Sequence, residues 1–139
     1  MKSAPADRLR ILRWLLAANV AASILHYVDN VLFFAQYPEP RWIDTHFIDA
    51  FWFAMTPQAW LGYRLMRRGR THTGAGVLYL YAAAGLLVLG HYRYAPWCGI
   101  ATRIHVFILL EAIAALALAA WLAWMQFGSR RAGSGLAHG

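Results

Sequence analysis

Cysteine and lysine are almost absent from the chain, and each absence excludes a class of chemistry. Cys98 is the single cysteine among 139 residues, so neither an intrachain disulfide nor a cysteine-rich metal motif can form. Lys2 is the single lysine, and it precedes the first apolar segment, which excludes a retinal Schiff base in the membrane. Low-complexity segments and an established internal repeat are also absent, so we expect residues 1–139 to form one domain.

Apolar residues are abundant and indicate the class of protein. They make up 60% of the chain, and the mean hydropathy is +0.42. A soluble domain of this size would have to expose much of that surface. Crossing about 30 Å of hydrocarbon takes about 20 residues. We therefore predict an all-α integral membrane protein, with four transmembrane helices in an antiparallel bundle at residues 11–34, 43–65, 76–92 and 104–127.

The formal net charge of +7 does not indicate nucleic-acid binding, because the basic residues are sorted along the chain. Arg41, Arg93 and Arg103 lie on one side of the predicted helices. The other side carries the rest: Lys2, Arg8, Arg10, Arg13, Arg64, Arg67, Arg68, Arg70, Arg130 and Arg131. The positive-inside rule then predicts cytoplasmic termini in a multi-pass protein of a cell membrane, with a bacterial inner membrane as the expectation. Helix 1 is long enough to span, so we expect it to be retained rather than cleaved as a signal peptide.

Ionisable residues recur at membrane-embedded positions as two copies of His-x-x-Asp. His26 and Asp29 form the first copy, and His46 and Asp49 form the second. Three more ionisable residues lie at comparable or slightly greater depth on the other two predicted helices: His91, His105 and Glu111. Because such residues are expensive in hydrocarbon, they indicate a functional site.

Helical spacing predicts which polar side chains can meet. On helix 1 one stripe, with Asp29 beside it, contains Asn19, Ser23, His26 and Asn30. On helix 2 the same rule gives a stripe of His46, Asp49, Phe53, Thr56, Trp60 and Tyr63. Lipid cannot satisfy polar groups, so we expect both stripes to face the bundle interior. We also expect the two His-x-x-Asp copies to converge in one cavity in the outer half, reached by His91 or His105.

These residues allow three interpretations of the site. A pocket for an apolar substrate could use His26 beside Asp29, facing Asp49, as acid and base among aromatic rings that stabilise a cation. A non-catalytic protein could use the same polar groups to hold its helices together or to bind a partner chain. A transition metal or haem could be bound by imidazole and carboxylate ligands from His26, Asp29, His46, Asp49, His91 and His105.

Three segments of the chain resemble the emopamil-binding, or EXPERA, family, which includes sterol Δ8-Δ7 isomerases and the sigma-2 receptor. The order of the helices and the basic connection after helix 2 are also similar. The segments are Leu25-His26-Tyr-Val-Asp29-Asn30 on helix 1, Asp49 followed by Thr56-Pro57-Gln-Ala-Trp60 on helix 2, and Val106-Phe-Ile-Leu-Leu-Glu111 on helix 4.

The resemblance implies a pocket for a sterol-like or cationic amphiphilic ligand, and no cofactor is expected. The isomerases of the family place an acid four residues after the histidine, where this chain has Asn30, and use glutamates where this chain has aspartates. A homodimer is compatible with so small a bundle. The implied proton-handling, catalytic positions are His26, Asp29, Asp49 and Glu111. The expected ligand contacts are Asn30, His46, Trp52, Phe53 and Trp60.

Overall fold

The computed structural model describes residues 4–128, and its regular secondary structure over this range is entirely helical. The four main helices are α1 (Ala4–Leu32), α2 (Thr45–Arg67), α3 (Thr71–Leu86) and α4 (Thr102–Ala123). Short 3-10 turns cover Phe34–Gln36, Leu87–Arg93 and Trp97–Gly99, and a π turn, Trp124–Gly128, follows α4. The predicted all-α class and the number of main helices are confirmed.

Three of the helical stretches are long and apolar enough to cross a membrane. They are Ala6–Leu32, Thr71–Arg93 and Thr102–Gly128. The α2 helix is not among them, since its polar and charged residues, such as Asp49, Gln58 and Arg64, lower its mean hydropathy. Three candidate spans are therefore confirmed, while a fourth span and the orientation of the termini stay predictions.

The helix bounds differ from the predicted ones at both ends. The α3 helix ends at Leu86 instead of residue 92 and α4 at Ala123 instead of residue 127, because each continues as a 3-10 or π turn. The α1 helix begins at Ala4 instead of residue 11, and α3 begins at Thr71 instead of residue 76. Charged and polar residues continue both helices beyond their apolar stretches, because nothing at these positions breaks the helix. The start of α2 is set by Asp44, whose carboxylate accepts a hydrogen bond from the Phe47 backbone N–H at 2.8 Å.

One half of the bundle is held by close apolar packing, and we call it the basic half because it contains the arginine-rich α2–α3 connection. There α2 and α3 approach through two glycines. A Cβ on Gly74 would lie 2.8 Å from the Gly62 carbonyl oxygen and 2.9 Å from the Met66 nitrogen. Gly69 has a φ of +79°, the left-handed conformation that ends α2. The buried core of this half includes Leu12, Leu16, Leu78, Leu118 and Leu122.

The opposite half, which we call the polar half, buries the predicted stripe of α1. Its members are all enclosed, which confirms that the stripe faces inward: Asn19, Ser23, His26, Asp29 and Asn30. In the same half, Tyr37 of the loop after α1 packs in a small apolar cluster with Ile100, Ile104 and Ile108. The loop after α1 thus closes over this end of the bundle.

The predicted inward stripe of α2 is confirmed only for Thr56, which lines a cavity between the helices, and Tyr63, which packs against the apolar core. Phe53 and Trp60 are 63% and 60% exposed, and His46 is exposed as well. The face of α2 that packs inward in the basic half consists of Ala59, Gly62 and Met66. Small residues and a flexible methionine allow the backbone of α3 to approach, so the large aromatic rings turn outward.

Candidate functional site

A cavity of 380 Å³ lies in the polar half between the four helices and the loop after α1. Its volume falls in the range of small-molecule sites. Exposed side chains at its mouth include Trp42, Phe47, Leu87 and Tyr94. No lysine or arginine is among its lining residues within 4–128. The polar lining residues are Asn19, Ser23, His26, Asn30, Glu39, Thr56, Tyr81, His91 and Glu111.

A buried pair made by His26 of α1 and Glu111 of α4 lies in this cavity. The His26 Nδ1 atom is 2.6 Å from Glu111 Oε2, and both side chains are enclosed. The other ring nitrogen, Nε2, is buried and has no hydrogen-bond partner in the protein. A carboxylate that accepts the Nδ1–H fixes the ring and its tautomer, as the acid does in a histidine–acid dyad. Nε2 is thereby left to exchange a proton with a bound molecule.

A second histidine–acid pair faces the first one. His91 Nδ1 lies 3.5 Å from Glu39 Oε1 and also 3.5 Å from the Pro38 carbonyl oxygen, which is its hydrogen-bond partner. Asn30 Nδ2 donates to the same Glu39 oxygen at 3.1 Å. The rings of His26 and His91 are 5.5 Å apart and nearly perpendicular. The cavity therefore brings two imidazoles, each with its own carboxylate, to one place.

Glu39 was not among the residues singled out from the sequence. It lies in the Pro38-Glu39-Pro40 turn after α1, where a solvated acid is the usual expectation, yet its side chain is only 11% exposed. Burial raises the pKa of the Glu39 carboxyl, while the hydrogen bond from Asn30 opposes that shift. The only signal in the sequence is an acid held between two prolines at the end of a polar helix stripe.

Asp29 belongs to a separate network beside the cavity. Tyr37 donates its hydroxyl hydrogen to Asp29 Oδ2 at 2.7 Å, and Arg103 Nε lies 3.2 Å from Oδ1. Burial and this hydrogen bond raise the pKa of Tyr37 well above its usual value, so the hydroxyl stays a donor. Arg103 also donates to Gln36 at 3.0 Å. The network fastens the loop after α1 to α1 and α4, and Asp29 itself does not line the cavity.

Asp49 and His46 also lie outside the cavity, so the expected convergence of the two His-x-x-Asp copies is wrong. Tyr27 donates to Asp49 Oδ1 at 2.6 Å, and Trp52 Nε1 donates to Ser23 at 3.0 Å. The Tyr27 and Trp52 rings stack at 4.7 Å. These contacts turn Asp49 along the side of α1, because α2 packs inward mainly through its small residues.

His105 is held in an aromatic stack at the surface of the polar half. Its ring lies 4.0 Å from that of Trp97 and 5.6 Å from that of Tyr92. Its Nε2 is 3.0 Å from the Trp97 carbonyl oxygen, and its Nδ1 is 3.1 Å from the Tyr92 hydroxyl. It does not line the cavity, so it does not act with Glu111 there.

The six residues of the metal or haem interpretation do not form one ligand set. Within residues 4–128, no group of three or more His, Cys, Asp or Glu side chains is arranged to hold a metal ion. Five of the six side chains contact different partners, namely tyrosines, an arginine, a tryptophan and two glutamates, and His46 is exposed.

The aromatic ligand contacts expected on α2 are also divided. Trp52 lines the cavity, whereas Phe53 packs its edge on Trp52 at 5.2 Å and stays largely outside. Trp60 lies under the guanidinium of Arg64, 4.8 Å from its ring, in the basic half. Of the predicted site residues, the structure places His26, Asn30, Trp52, His91 and Glu111 around the cavity.

No protein-family model, no curated protein and no solved structure matches this chain. The likeness to the emopamil-binding family therefore stays an expectation from the residues quoted above. The class that the fold defines is an all-helical protein with at least three candidate membrane spans among its described residues. Its site is a cavity that opens to the surface and contains two histidine–acid pairs.

Proposed function

We propose that this chain binds an apolar, sterol-like molecule in the cavity and moves a proton on it in an isomerase-type reaction. The observation that carries the proposal is the buried His26–Glu111 pair, whose free Nε2 belongs to a residue lining a cavity of 380 Å³. A buried imidazole oriented by a carboxylate is the arrangement that general acid–base catalysis uses. The mostly apolar and aromatic lining suits a lipid-like substrate.

The reaction that fits two imidazoles is the shift of a carbon–carbon double bond. One imidazole, in its protonated form, gives a proton to one carbon of the double bond. The other imidazole takes a proton from the carbon next to the resulting cation, so the π electrons move by one bond and the substrate keeps its composition. Before the next turnover the two imidazoles, whose rings are 5.5 Å apart, regain their starting protonation by exchanging protons with water. The aromatic face of Trp52, which lines the cavity, would stabilise the transient cation.

We further propose that α2 is a fourth span, that both termini are cytoplasmic and that the protein lies in a bacterial inner membrane. The 23 residues of α2 extend about 34 Å at a rise of about 1.5 Å per residue, enough to cross the hydrocarbon. Its exposed face carries Phe47, Phe53, Trp60 and Leu61, which suit contact with lipid. Reporter fusions at the C terminus test this arrangement, and an extracytoplasmic C terminus would refute it.

Deuterium incorporation tests the proposed proton transfer. The purified protein in lipid nanodiscs is incubated in D₂O with 5α-cholest-8-en-3β-ol, and the product is examined by mass spectrometry. We expect a sterol with a migrated double bond and one added deuterium. Glu111→Gln should slow the reaction at least about 100-fold, because the amide no longer orients the imidazolium. Neither bond migration nor deuterium uptake with this sterol or its double-bond isomers would reject the isomerase reaction.

Asp49→Asn tests whether Asp49 and Glu111, which the sequence analysis predicts as equivalent catalytic acids, have different roles. It makes the same chemical change as Glu111→Gln, but at a carboxylate that does not line the cavity and instead accepts a hydrogen bond from Tyr27, a lining residue. We expect its turnover to stay within a few-fold of wild type. If Asp49→Asn abolishes turnover while Glu111→Gln does not, the assignment of the His26–Glu111 pair is wrong.

A further inference from the structure

Polar atoms without a partner are concentrated around the cavity. Among residues 4–128, six buried side-chain nitrogen or oxygen atoms have no hydrogen-bond partner in the protein, and four of them belong to residues that line the cavity. Buried polar groups are normally paired, so each unpaired atom needs an explanation. The four cavity atoms are Asn19 Nδ2, His26 Nε2, Asn30 Oδ1 and Tyr81 OH.

Two of these atoms, Asn19 Nδ2 and Tyr81 OH, belong to neither histidine–acid pair. Asn19 lies seven residues before His26 on α1, which corresponds to about 10 Å along the helix. Tyr81 of α3 packs in the apolar core of the basic half, and Asn19 follows Leu16 of that core by one turn. Asn19 is 1% exposed and Tyr81 is 4% exposed. The boundary between the apolar core and the cavity thus carries two enclosed polar groups that neither packing nor the proposed proton transfer uses.

We propose that Asn19 and Tyr81 form an oxygen-binding subsite, which holds a hydroxyl or carbonyl oxygen at one end of an elongated, otherwise apolar ligand. The proposal rests on the proposed function, since it places the rest of that ligand between this subsite and His26. The amide Nδ2 is a donor, and the tyrosine hydroxyl can donate or accept, so together they match an alcohol or a ketone. Met55, Trp52 and Val88 line the cavity and supply apolar contacts.

The charges of the cavity exclude an acidic ligand group at this subsite. No lysine or arginine is among the lining residues within 4–128, whereas Glu39 and Glu111 are. A phosphate or carboxylate would enter without a cationic partner and beside two acids, which is unfavourable in a medium of low dielectric constant. The subsite therefore suits a neutral alcohol or ketone oxygen, and fatty acids and phospholipids are excluded.

A pair of sterols that differ only in the hydroxyl group tests the subsite. The affinities of 5α-cholestan-3β-ol and 5α-cholestane are measured for the full chain in nanodiscs by competition with a radiolabelled sterol. We expect the alcohol to bind about tenfold more tightly, as one or two buried hydrogen bonds would give. Asn19→Leu and Tyr81→Phe should each reduce this ratio to below about threefold by weakening the alcohol alone. Tyr79→Phe is the matched control, because the Tyr79 hydroxyl bonds to Gln126 away from the cavity, and it should keep the full ratio.

The outcomes separate this proposal from the proposed function. If wild type binds both compounds equally, the two polar atoms are satisfied by water, and the subsite is wrong while a lipid pocket survives. If Asn19→Leu and Tyr81→Phe weaken both compounds equally, they alter the shape of the cavity and the subsite is again rejected. If neither compound binds to wild type, the sterol-like ligand of the proposed function fails together with the subsite.

Discussion

The two halves of the bundle bury different kinds of side chain. In the basic half the helices meet through leucines and glycines, and α2 contacts α3 almost backbone to backbone at Gly62 and Gly74. In the polar half the enclosed residues are histidines, acids and amides around a cavity. The first arrangement packs apolar side chains against one another, and the second surrounds a cavity with polar side chains. Stability therefore depends mainly on the basic half, and ligand chemistry on the polar half.

The contrast also explains why polar residues of the same type have different roles. Asp29 and Asp49 each accept a hydrogen bond from a tyrosine hydroxyl. These bonds hold the loop after α1 and the α2 helix against α1. Glu39 and Glu111 instead contact histidines inside the cavity. An intramembrane acid thus indicates that something must satisfy it, and only its partner shows whether the role is structural or chemical.

The largest expected effect comes from filling the helix contact of the basic half. Gly74→Ala would place its Cβ against the Gly62 carbonyl and the Met66 nitrogen, and backbone atoms cannot move aside as side-chain ends can. We expect a loss of about 3 kcal/mol in the free energy of unfolding, at the upper end for overpacking. Reversible unfolding in mixed micelles measures it.

Gly76→Ala is the matched control on the same helix. A Cβ at Gly76 meets nothing within 4 Å, so the change should be neutral or stabilise by up to about 1 kcal/mol through the helix propensity of alanine. Equal effects at Gly74 and Gly76 would contradict the close approach of α2 and α3.

Much of the fold could be predicted from the sequence, because apolar length and polar periodicity are strong signals. The α1 stripe was correct, since an apolar helix with a single polar face has one way to satisfy it. The α2 stripe was right for Thr56 and Tyr63 but wrong for His46, Phe53 and Trp60, because α2 carries both polar and aromatic residues on several faces. Its orientation is decided by Gly62 approaching Gly74 on α3. A close contact between two glycines far apart in the sequence leaves no periodic pattern.

The site was predicted less completely than the fold. His26 and Glu111 were identified from their depth, but their pairing at 2.6 Å depends on how α1 packs on α4. Glu39 was missed because it reaches the cavity through a loop, where depth and helical phase give no information. Its enclosure depends on the Tyr37 hydroxyl bonding to Asp29, a contact that fastens the loop.

A smaller effect is expected where that loop is fastened in the polar half. Asp29→Asn keeps a carbonyl oxygen for Tyr37 but removes the charge that faces Arg103 at 3.2 Å. We expect a loss of about 1–2 kcal/mol, because the ion pair is enclosed on the Asp29 side and partly exposed on the Arg103 side. Hydrogen exchange should show faster opening of the loop after α1 with little change in the basic half. Faster exchange across α2 and α3 would contradict the division into two halves.

The smallest expected effect is a pH dependence that originates in the loop. Burial raises the pKa of the Glu39 carboxyl in the folded protein above its ordinary value of 4.5. The folded chain then binds this proton more tightly than the unfolded chain, so this group lowers stability as pH rises from about 4.5 to the raised pKa, and not beyond it. Glu39→Gln should remove this decline while keeping a partner for Asn30. His26 and His91 lie near this carboxyl, so the difference between the two stability–pH curves reports Glu39 together with its interactions with these histidines. Unfolding midpoints measured between pH 4 and pH 7 test it, and parallel curves would contradict the enclosure of Glu39.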